Sequence, residues 1–214
     1  MCTAACLDFG RRALSTGEVV GKRVLEVGSL DVNGSLRPML ESGAPSLYVG
    51  VDIAPGPGVD ELCDVSELVH RFGNEAFDLV ICTEGLEHFL DWRGAVSNLK
   101  RVLRPGGALL VTTRSEGFPL HDYPFDYWRF STEDMRILFG DCSIELLESD
   151  PAQPGVFLKA TRPPSFREFD LAGHELYSIV RLRRIRNLTS WDVRIFSAVH
   201  ELYPDVVDLV DVWV

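Results

Sequence analysis

The sequence predicts an α/β protein in which a mostly parallel sheet is covered by helices on both faces. Strand-like runs alternate with helix-like segments as far as residue 139, a pattern that favours parallel strands buried between helices. The first strand ends in a glycine turn, Glu26-Val-Gly28, and the second in an acidic residue, Asp52. Two strand-like runs joined by Ala152-Gln-Pro-Gly155 then predict a closing antiparallel hairpin.

The first third of the chain divides at glycine and proline. Apolar side chains at helical spacing predict an amphipathic helix that ends before Gly17. Pro38 falls in the first turn of the next helix, where proline is tolerated. The predicted elements are a helix over 3–16, a strand over 23–28, a helix over 34–43, strands over 46–53 and 59–64, and a helix over 66–71.

The middle of the chain repeats the same alternation. Its clearest boundary is the turn Arg104-Pro-Gly-Gly107. Residues 115–130 hold six aromatic side chains without a regular period, which is typical of a functional loop. The predicted elements are a strand over 77–84, a helix over 92–103, a strand over 108–113, a helix over 131–139, and strands over 144–149 and 156–162.

Pro163-Pro164 predicts a boundary between two parts of the chain. We expect one domain over 1–162 and a C-terminal helical extension over 163–214, with helices at about 174–185 and 190–201. The extension could be a packing appendage, a lid over a site, or the contact of a homodimer.

Composition excludes several classes of function. The net charge of −11 disfavours nucleic-acid substrates, and no apolar run reaches the length of a membrane span. The five cysteines have no repeated close spacing, so we expect neither a disulfide framework nor a zinc site, and no other metal. The N-terminus lacks the pattern of a signal peptide. We therefore expect a cytoplasmic protein with reduced thiols.

Glu26 is the unusual residue of the first strand. A carboxylate among apolar side chains is costly unless something pairs with it, and at a strand end it could meet an ammonium or hydroxyl group of a ligand. Asp52 follows Gly28 at a distance that suits hydrogen bonds to ribose hydroxyls. The pair suggests an adenosyl-type cofactor.

Five short motifs, in order over residues 20–162, resemble those of the class I S-adenosylmethionine-dependent methyltransferases. They are Glu26-Val-Gly28, Asp52, Cys63-Asp64, Phe77-Asp-Leu-Val-Ile81 with Glu84-Gly-Leu-Glu-His88, and Arg101-Val-Leu-Arg-Pro-Gly-Gly107. The resemblance implies a three-layer Rossmann-like sandwich whose seven-stranded sheet has its last strand antiparallel. One departure is Leu30, which stands where the family has a second glycine, so the turn could take another path.

The resemblance also implies a set of cofactor-binding residues. Glu26 with Gly28 and Ser29 would face the methionine moiety, and Asp52 would bind the ribose. The other implied contacts are Ile53, Asp64 and Val65 at the adenine, and Thr83 and Glu84 under the methionine part. Structural alternatives stay open, because Glu26 could be purely structural, Asp52 could cap a turn and Asp64 could cap the following helix.

Transfer of a methyl group to a hydroxyl needs a base, and His88 and His121 fall in loops at the expected ligand edge of the sheet. Both histidines could instead have packing roles. The predicted substrate-binding residues are Glu87, Tyr123, Asp126, Tyr127, Trp128 and Arg129, although the aromatic rings among them could simply fill the seam beside the hairpin.

Residues 121–130 are similar to a stretch of methyltransferases from bacterial biosynthetic clusters for sugars and other small metabolites. We therefore expect S-adenosylmethionine as cofactor, S-adenosylhomocysteine as product, and an oxygen or nitrogen of a small molecule as acceptor. The alternatives are an NAD-binding oxidoreductase and a non-catalytic, cofactor-binding partner subunit.

Overall fold

A computed structural model describes residues 3–121 and 125–202. The elements are α1 (Ala4–Ala13), β1 (Arg23–Val27), α2 (Arg37–Ser42), β2 (Leu47–Asp52), β3 (Glu61–Leu62), α3 (Leu68–Phe72), β4 (Phe77–Thr83), α4 (Trp92–Arg101), β5 (Leu103–Arg114), β6 (Trp128–Arg129), α5 (Thr132–Leu138), β7 (Ser143–Ser149), β8 (Gly155–Thr161), β9 (Leu176–Ser178), β10 (Arg183–Ile185) and α6 (Ser190–Leu202).

The main sheet has seven strands in the order β3-β2-β1-β4-β5-β8-β7. The five strands from β3 to β5 are parallel, whereas β8 runs antiparallel to both of its neighbours. Parallel strands need crossover connections, and the intervening helices supply them. The predicted sheet and its antiparallel closing strand are confirmed.

Helices cover both faces of this sheet and so form three layers. Side chains of one face, such as Leu79 and Ile81, pack with α1 and α2. Those of the other face, such as Val80 and Cys82, pack with α3, α4 and α5. Because successive side chains of a strand point to opposite faces, a run of apolar residues in β4 serves both cores.

Side-chain caps explain where several helices begin. The Thr3 hydroxyl accepts a hydrogen bond from the Cys6 amide at α1, and Asp91 accepts one from the Gly94 amide at α4. At α5, Ser131 and Asp134 bond to each other's backbone amides as a capping box.

The predicted helix over 174–185 is wrong. Residues Leu176–Ser178 and Arg183–Ile185 form an antiparallel hairpin, and β9 also pairs with β6 to complete a second, three-stranded sheet. Leu182, at a φ of 51°, lies in the turn of this hairpin. The partner strand β6 is distant in sequence, so a local helical pattern could not reveal this pairing. The pairing overrides the local helix propensity of the segment. The predicted helix over 190–201 is confirmed as α6.

Residues 163–202 are anchored to the main domain. The Arg93 guanidinium donates to the carbonyls of Leu171, His174 and Arg186. Leu176 is fully buried in the larger core. In contrast, no α6 side chain is buried. Within the described ranges, no helix combines the length and the apolar character that crossing a bilayer requires.

Candidate active site

The carboxyl ends of β1, β2, β4 and β5 meet at one edge of the sheet, which is where ligands bind in open α/β sheets. Glu26 is paired with Gly50 in the parallel register, and Asp52 lies two residues further along β2. Since residues two apart in a strand share a face, the carboxylates of Glu26 and Asp52 project from the same face of neighbouring strands.

Glu26 is 2% exposed, and its carboxylate has partners within the protein. The Tyr48 hydroxyl donates to Oε2 at 2.7 Å and the Ser35 hydroxyl to Oε1 at 3.2 Å. Burial raises the pKa of Glu26, and these two hydrogen bonds act in the opposite direction. Sequence reasoning missed Ser35 and Tyr48, since a hydroxyl facing a strand carboxylate has no local pattern.

Asp52 organises the turn that follows β1. Its Oδ2 accepts the Leu30 amide at 3.1 Å and its Oδ1 accepts the Ala54 amide at 3.1 Å. Gly28 has a φ of 74°, and the amides of Gly28 and Ser29 both donate to the Val51 carbonyl. These two amides therefore face β2. Leu30, in place of the second glycine, is held by the carboxylate of Asp52.

The residues implied at the adenine lie beside β3. Asp64 accepts the Ser66 amide at 2.8 Å, so one of its oxygens caps the following helical turn, as the structural alternative had it. Val65 is buried, and its carbonyl accepts the Asn98 amide group. Ile53 is 66% exposed and leaves an apolar face beside Asp52.

Thr83 is the last residue of β4 and Glu84 follows it, and both are buried. Glu84 has a φ of 52°, a strained conformation for a residue with a side chain, and its amide donates to the Thr112 carbonyl. Its carboxylate forms an ion pair with Arg114, which is 4% exposed. Burial and then the neighbouring Glu87 carboxylate raise the pKa of Glu84, while Arg114 opposes the shift.

Arg114 was missed by sequence reasoning, although a signal existed. It is the last residue of β5, a buried apolar strand that ends in the polar residues Thr112, Thr113 and Arg114. In the same way, β4 ends in Thr83 and is followed by Glu84. Polar residues at the end of a buried parallel strand point to the ligand edge.

His88 and His121 come together at the ends of β4 and β5. Their ring centroids are 4.9 Å apart, and the Glu87 Oε1 lies 3.9 Å from the Nε2 atom of each. Glu87 is fully buried, and its Oε2 accepts the Thr113 hydroxyl at 2.9 Å. His88 Nδ1 lies 2.9 Å from the Phe125 carbonyl oxygen.

Asp126 supports His121 from behind. Its Oδ2 lies 2.9 Å from His121 Nδ1 and accepts a hydrogen bond from the His121 amide at 3.0 Å. Arg129 donates to both oxygens of Asp126. Burial alone would raise the pKa of Asp126, but the hydrogen bonds from Arg129 and the contact with His121 hold it at about 2.

The predicted substrate-binding residues do not form one exposed wall. Trp128 is fully buried and donates from Nε1 to the Phe89 carbonyl, and Tyr127 also belongs to the larger core. These rings fill the seam between the sheets, as the packing alternative had it. Arg129 is 1% exposed and serves Asp126. Tyr123 lies outside the described residues.

Arg129 lines a cavity of about 630 Å³ beside the β7–β8 hairpin. Ser131, Tyr177 and Arg184 line it, but neither histidine does. The histidine pair and this cavity are therefore two separate features of the same end of the molecule.

Comparison with known proteins identifies the fold and the family. A family model described as a methyltransferase domain matches residues 3–141. The chain is 33% identical over 121 residues to a demethylmenaquinone methyltransferase of Thermus thermophilus, covering 50% of this chain and 54% of the relative. It is 32% identical over 124 residues to a ubiquinone biosynthesis O-methyltransferase of Rhizobium etli, covering 51% and 48%. The chain thus spans about half the length of these relatives.

A solved structure has the same fold. The 1,6-didemethyltoxoflavin-N1-methyltransferase of Burkholderia thailandensis, with bound 1,6-didemethyltoxoflavin and S-adenosylhomocysteine, superposes with a TM-score of 0.59 at 16% identity. The superposition covers 75% of this chain and 79% of that one. Together with the seven-stranded sheet and the motifs at its carboxyl edge, the family match shows that this chain belongs to the methyltransferase-domain family.

Proposed function

We propose that this protein transfers a methyl group from S-adenosylmethionine to an oxygen or nitrogen of a small-molecule acceptor. The observation that carries the proposal is the arrangement at one sheet edge. Glu26 and Asp52 share a face of β1 and β2, and the histidine pair follows β4 and β5 at the same carboxyl edge of the sheet. A nucleoside site next to a possible base is what methyl transfer requires.

The residues present fit the cofactor. Exposed Ile53 offers an apolar surface for a base, and Asp52, which is only partly buried, keeps lone pairs for ribose hydroxyls. Glu26 lies further inside, where a carboxylate attracts an ammonium group. When bound, S-adenosylmethionine supplies an activated methyl group, so the protein contributes mainly proximity and orientation.

The proposed base is a histidine. In neutral His88, Nδ1–H donates to the Phe125 carbonyl, which leaves the Nε2 lone pair free to take a proton from the acceptor. The Asp126 carboxylate lies against Nδ1 of His121 and orients this ring in the same way, with the Nε2 lone pair free. The residues that would orient the acceptor are Glu87 and Asp126, both buried next to the histidines.

The relatives support a small acceptor, since their names refer to menaquinone, ubiquinone and toxoflavin. The sequence similarity at residues 121–130 suggested sugars and other biosynthetic metabolites. A panel of candidate acceptors for testing methyl transfer should therefore include phenols, nitrogen heterocycles and sugars. The cavity beside Arg129 could accommodate such a molecule by volume, but it lacks a histidine, and so we place the acceptor at the histidine pair.

Calorimetric titration with S-adenosylmethionine, S-adenosylhomocysteine and NAD tests the proposal. We expect micromolar binding of the first two and no binding of NAD, followed by release of S-adenosylhomocysteine with at least one acceptor of the panel. Binding of NAD alone would favour the oxidoreductase. Cofactor binding with no product from any acceptor would favour the non-catalytic partner subunit.

Three further expectations belong to this proposal. We expect a cytoplasmic location, which agrees with the free state of Cys6, Cys63, Cys82 and Cys142 and is tested by cell fractionation. The division into a domain over 1–162 and an extension over 163–214 also stays a prediction.

A homodimer through that extension stays a prediction as well, and sedimentation velocity of the full chain tests it.

A further inference from the structure

We propose that Glu87, His88 and His121 form a binding site for a divalent transition-metal ion. One ligand atom of each residue lies within 4.8 Å of those of the other two, and the Glu87 Oε1 lies 3.9 Å from the Nε2 atom of each histidine. Two imidazole nitrogens and one carboxylate oxygen are a ligand set typical of Zn²⁺ and of other first-row ions such as Mn²⁺ and Fe²⁺. The expectation of no metal rested on cysteine spacing, which does not bear on this group.

The Glu87 carboxylate gives an independent reason to place a metal ion at this cluster. Glu87 is fully buried, and while its Oε2 accepts the Thr113 hydroxyl, its Oε1 has no hydrogen-bond partner among the described residues. A buried, unpartnered carboxylate oxygen is costly. Arg114 does not relieve it, because that guanidinium pairs with Glu84 and Asp150. A cation between the two histidines would complete the coordination of Oε1.

The other atoms of the three residues are already oriented by the protein. The Phe125 carbonyl accepts from His88 Nδ1, and the Asp126 carboxylate lies against His121 Nδ1. Both contacts favour the tautomer whose Nε2 lone pair is free, which is how carboxylates and carbonyls orient the histidines of metal sites. Arg129 in turn holds Asp126 with two hydrogen bonds.

The distances require a modest contraction. Ligand atoms bound at about 2.1 Å in a tetrahedron are about 3.4 Å apart, against 3.9 Å from Oε1 to each Nε2 and at most 4.8 Å within the group. The side chains of His88 and His121 are 18% and 16% exposed and can rotate slightly, whereas Glu87 stays fixed. Three protein ligands leave a coordination position open to water or, if the proposed function holds, to an oxygen of the acceptor. With the ion bound, the Nε2 lone pairs of both histidines are used as ligands, so a histidine can act as the proposed base only in the metal-free protein.

The test measures metal binding by the full chain without cofactor or acceptor, so that its failure is distinct from a failure of methyl transfer. After treatment with a chelator and its removal, the protein is titrated with ZnCl₂ and, in parallel, with MgCl₂, and bound metal is counted by mass spectrometry of the metal. We expect about one Zn²⁺ per chain, with weak or no binding of Mg²⁺, which prefers an all-oxygen octahedral site.

Variants locate the ion. Glu87→Gln, His88→Gln and His121→Gln should each weaken Zn²⁺ binding at least tenfold, whereas His70→Gln, at an exposed histidine remote from the cluster, should leave it unchanged. Zn²⁺ should also raise the melting temperature of the wild type but not that of His121→Gln. If Glu87→Gln does not fold, the two histidine variants decide. No stoichiometric Zn²⁺ in the wild type, or equal binding in His121→Gln, would overturn the proposal.

Discussion

At the scale of single residues, Glu26 combines a structural role with a proposed binding role. The hydroxyls of Ser35 and Tyr48 offset part of the cost of burying its carboxylate. Nevertheless, each carboxylate oxygen can accept more than one hydrogen bond, so the same group can also bind an ammonium group at the sheet edge. A neutral side chain of the same shape, as in Glu26→Gln, distinguishes the two roles.

Glu26→Gln should weaken the binding of S-adenosylmethionine by roughly 10- to 100-fold, because a hydrogen bond to a charged group contributes about 1.5–3 kcal/mol. Calorimetric titration measures the change in Kd. The matched control is Glu133→Gln, at a glutamate whose side chain is 69% exposed on α5. If Glu26→Gln folds and its Kd stays within twofold of the wild type, Glu26 is a structural carboxylate only.

The histidine cluster is also a residue-scale feature, but only half of it is visible in the sequence. Glu87 and His88 are adjacent, and their position after a strand predicted the ligand edge. His121 lies in an aromatic loop without period, and its distance to Glu87 depends on how β5 and that loop are placed. The pairing of Asp126 with Arg129, three residues apart, likewise depends on burial that no local pattern reveals.

At the scale of elements, α5 connects the main domain to the extension. The Asp134 carboxylate caps its own helix through Ser131 and also binds His174 at 2.9 Å and Arg184 of β10. Burial disfavours the charged form of Asp134 and would raise its pKa. The hydrogen bonds from Arg184 and Ser131 outweigh this effect, so that the pKa of Asp134 is lowered. One side chain therefore stabilises two elements.

Asp134→Asn should destabilise the protein by about 1–2 kcal/mol, the sum of a weakened cap and a half-exposed ion pair. Urea unfolding measures the change, and hydrogen exchange should show faster exchange of the β9 and β10 amides. Because the folded pKa of Asp134 is lowered, its contribution is present above the unfolded pKa of about 3.9 and is lost as the pH falls further.

The control for this prediction is again Glu133→Gln, on the same helix turn, where an exposed ion pair with Arg136 should matter by less than about 0.5 kcal/mol. An Asp134→Asn protein with unchanged stability and unchanged exchange in β9 and β10 would contradict the connecting role. So would a difference between wild type and variant that stays constant as the pH is lowered from 6 to 3.

At the scale of the whole molecule, the extension completes the core of the methyltransferase domain. Leu176 and Leu188 are buried in the larger core, and β9 pairs with β6, which carries Arg129 toward the histidine cluster. The family model ends at residue 141, and Pro163-Pro164 looks like a boundary, but neither marks the limit of the packed apolar side chains.

A chain that ends at residue 162 should lose about 3–6 kcal/mol from these two leucines alone, at about 1.5–3 kcal/mol for each buried side chain. That is a large part of the 5–15 kcal/mol that typically separates folded from unfolded states. Thermal unfolding followed by circular dichroism measures the loss. The control is Ile195→Ser, at a residue of α6 that is 58% exposed. A cooperative transition within a few degrees of the full chain would show that 1–162 is self-sufficient.

The sequence by itself determined the main sheet, the order of its elements along the chain and the edge at which we expect ligands to bind. Those features follow from local periodicity and from turn residues such as Gly28, which act over a few positions of the chain. Tertiary structure alone decided the second sheet, the partners of Glu26 and the cluster of Glu87, His88 and His121. These depend on contacts between residues distant in sequence, whose energies come from burial and pairing rather than from local propensity.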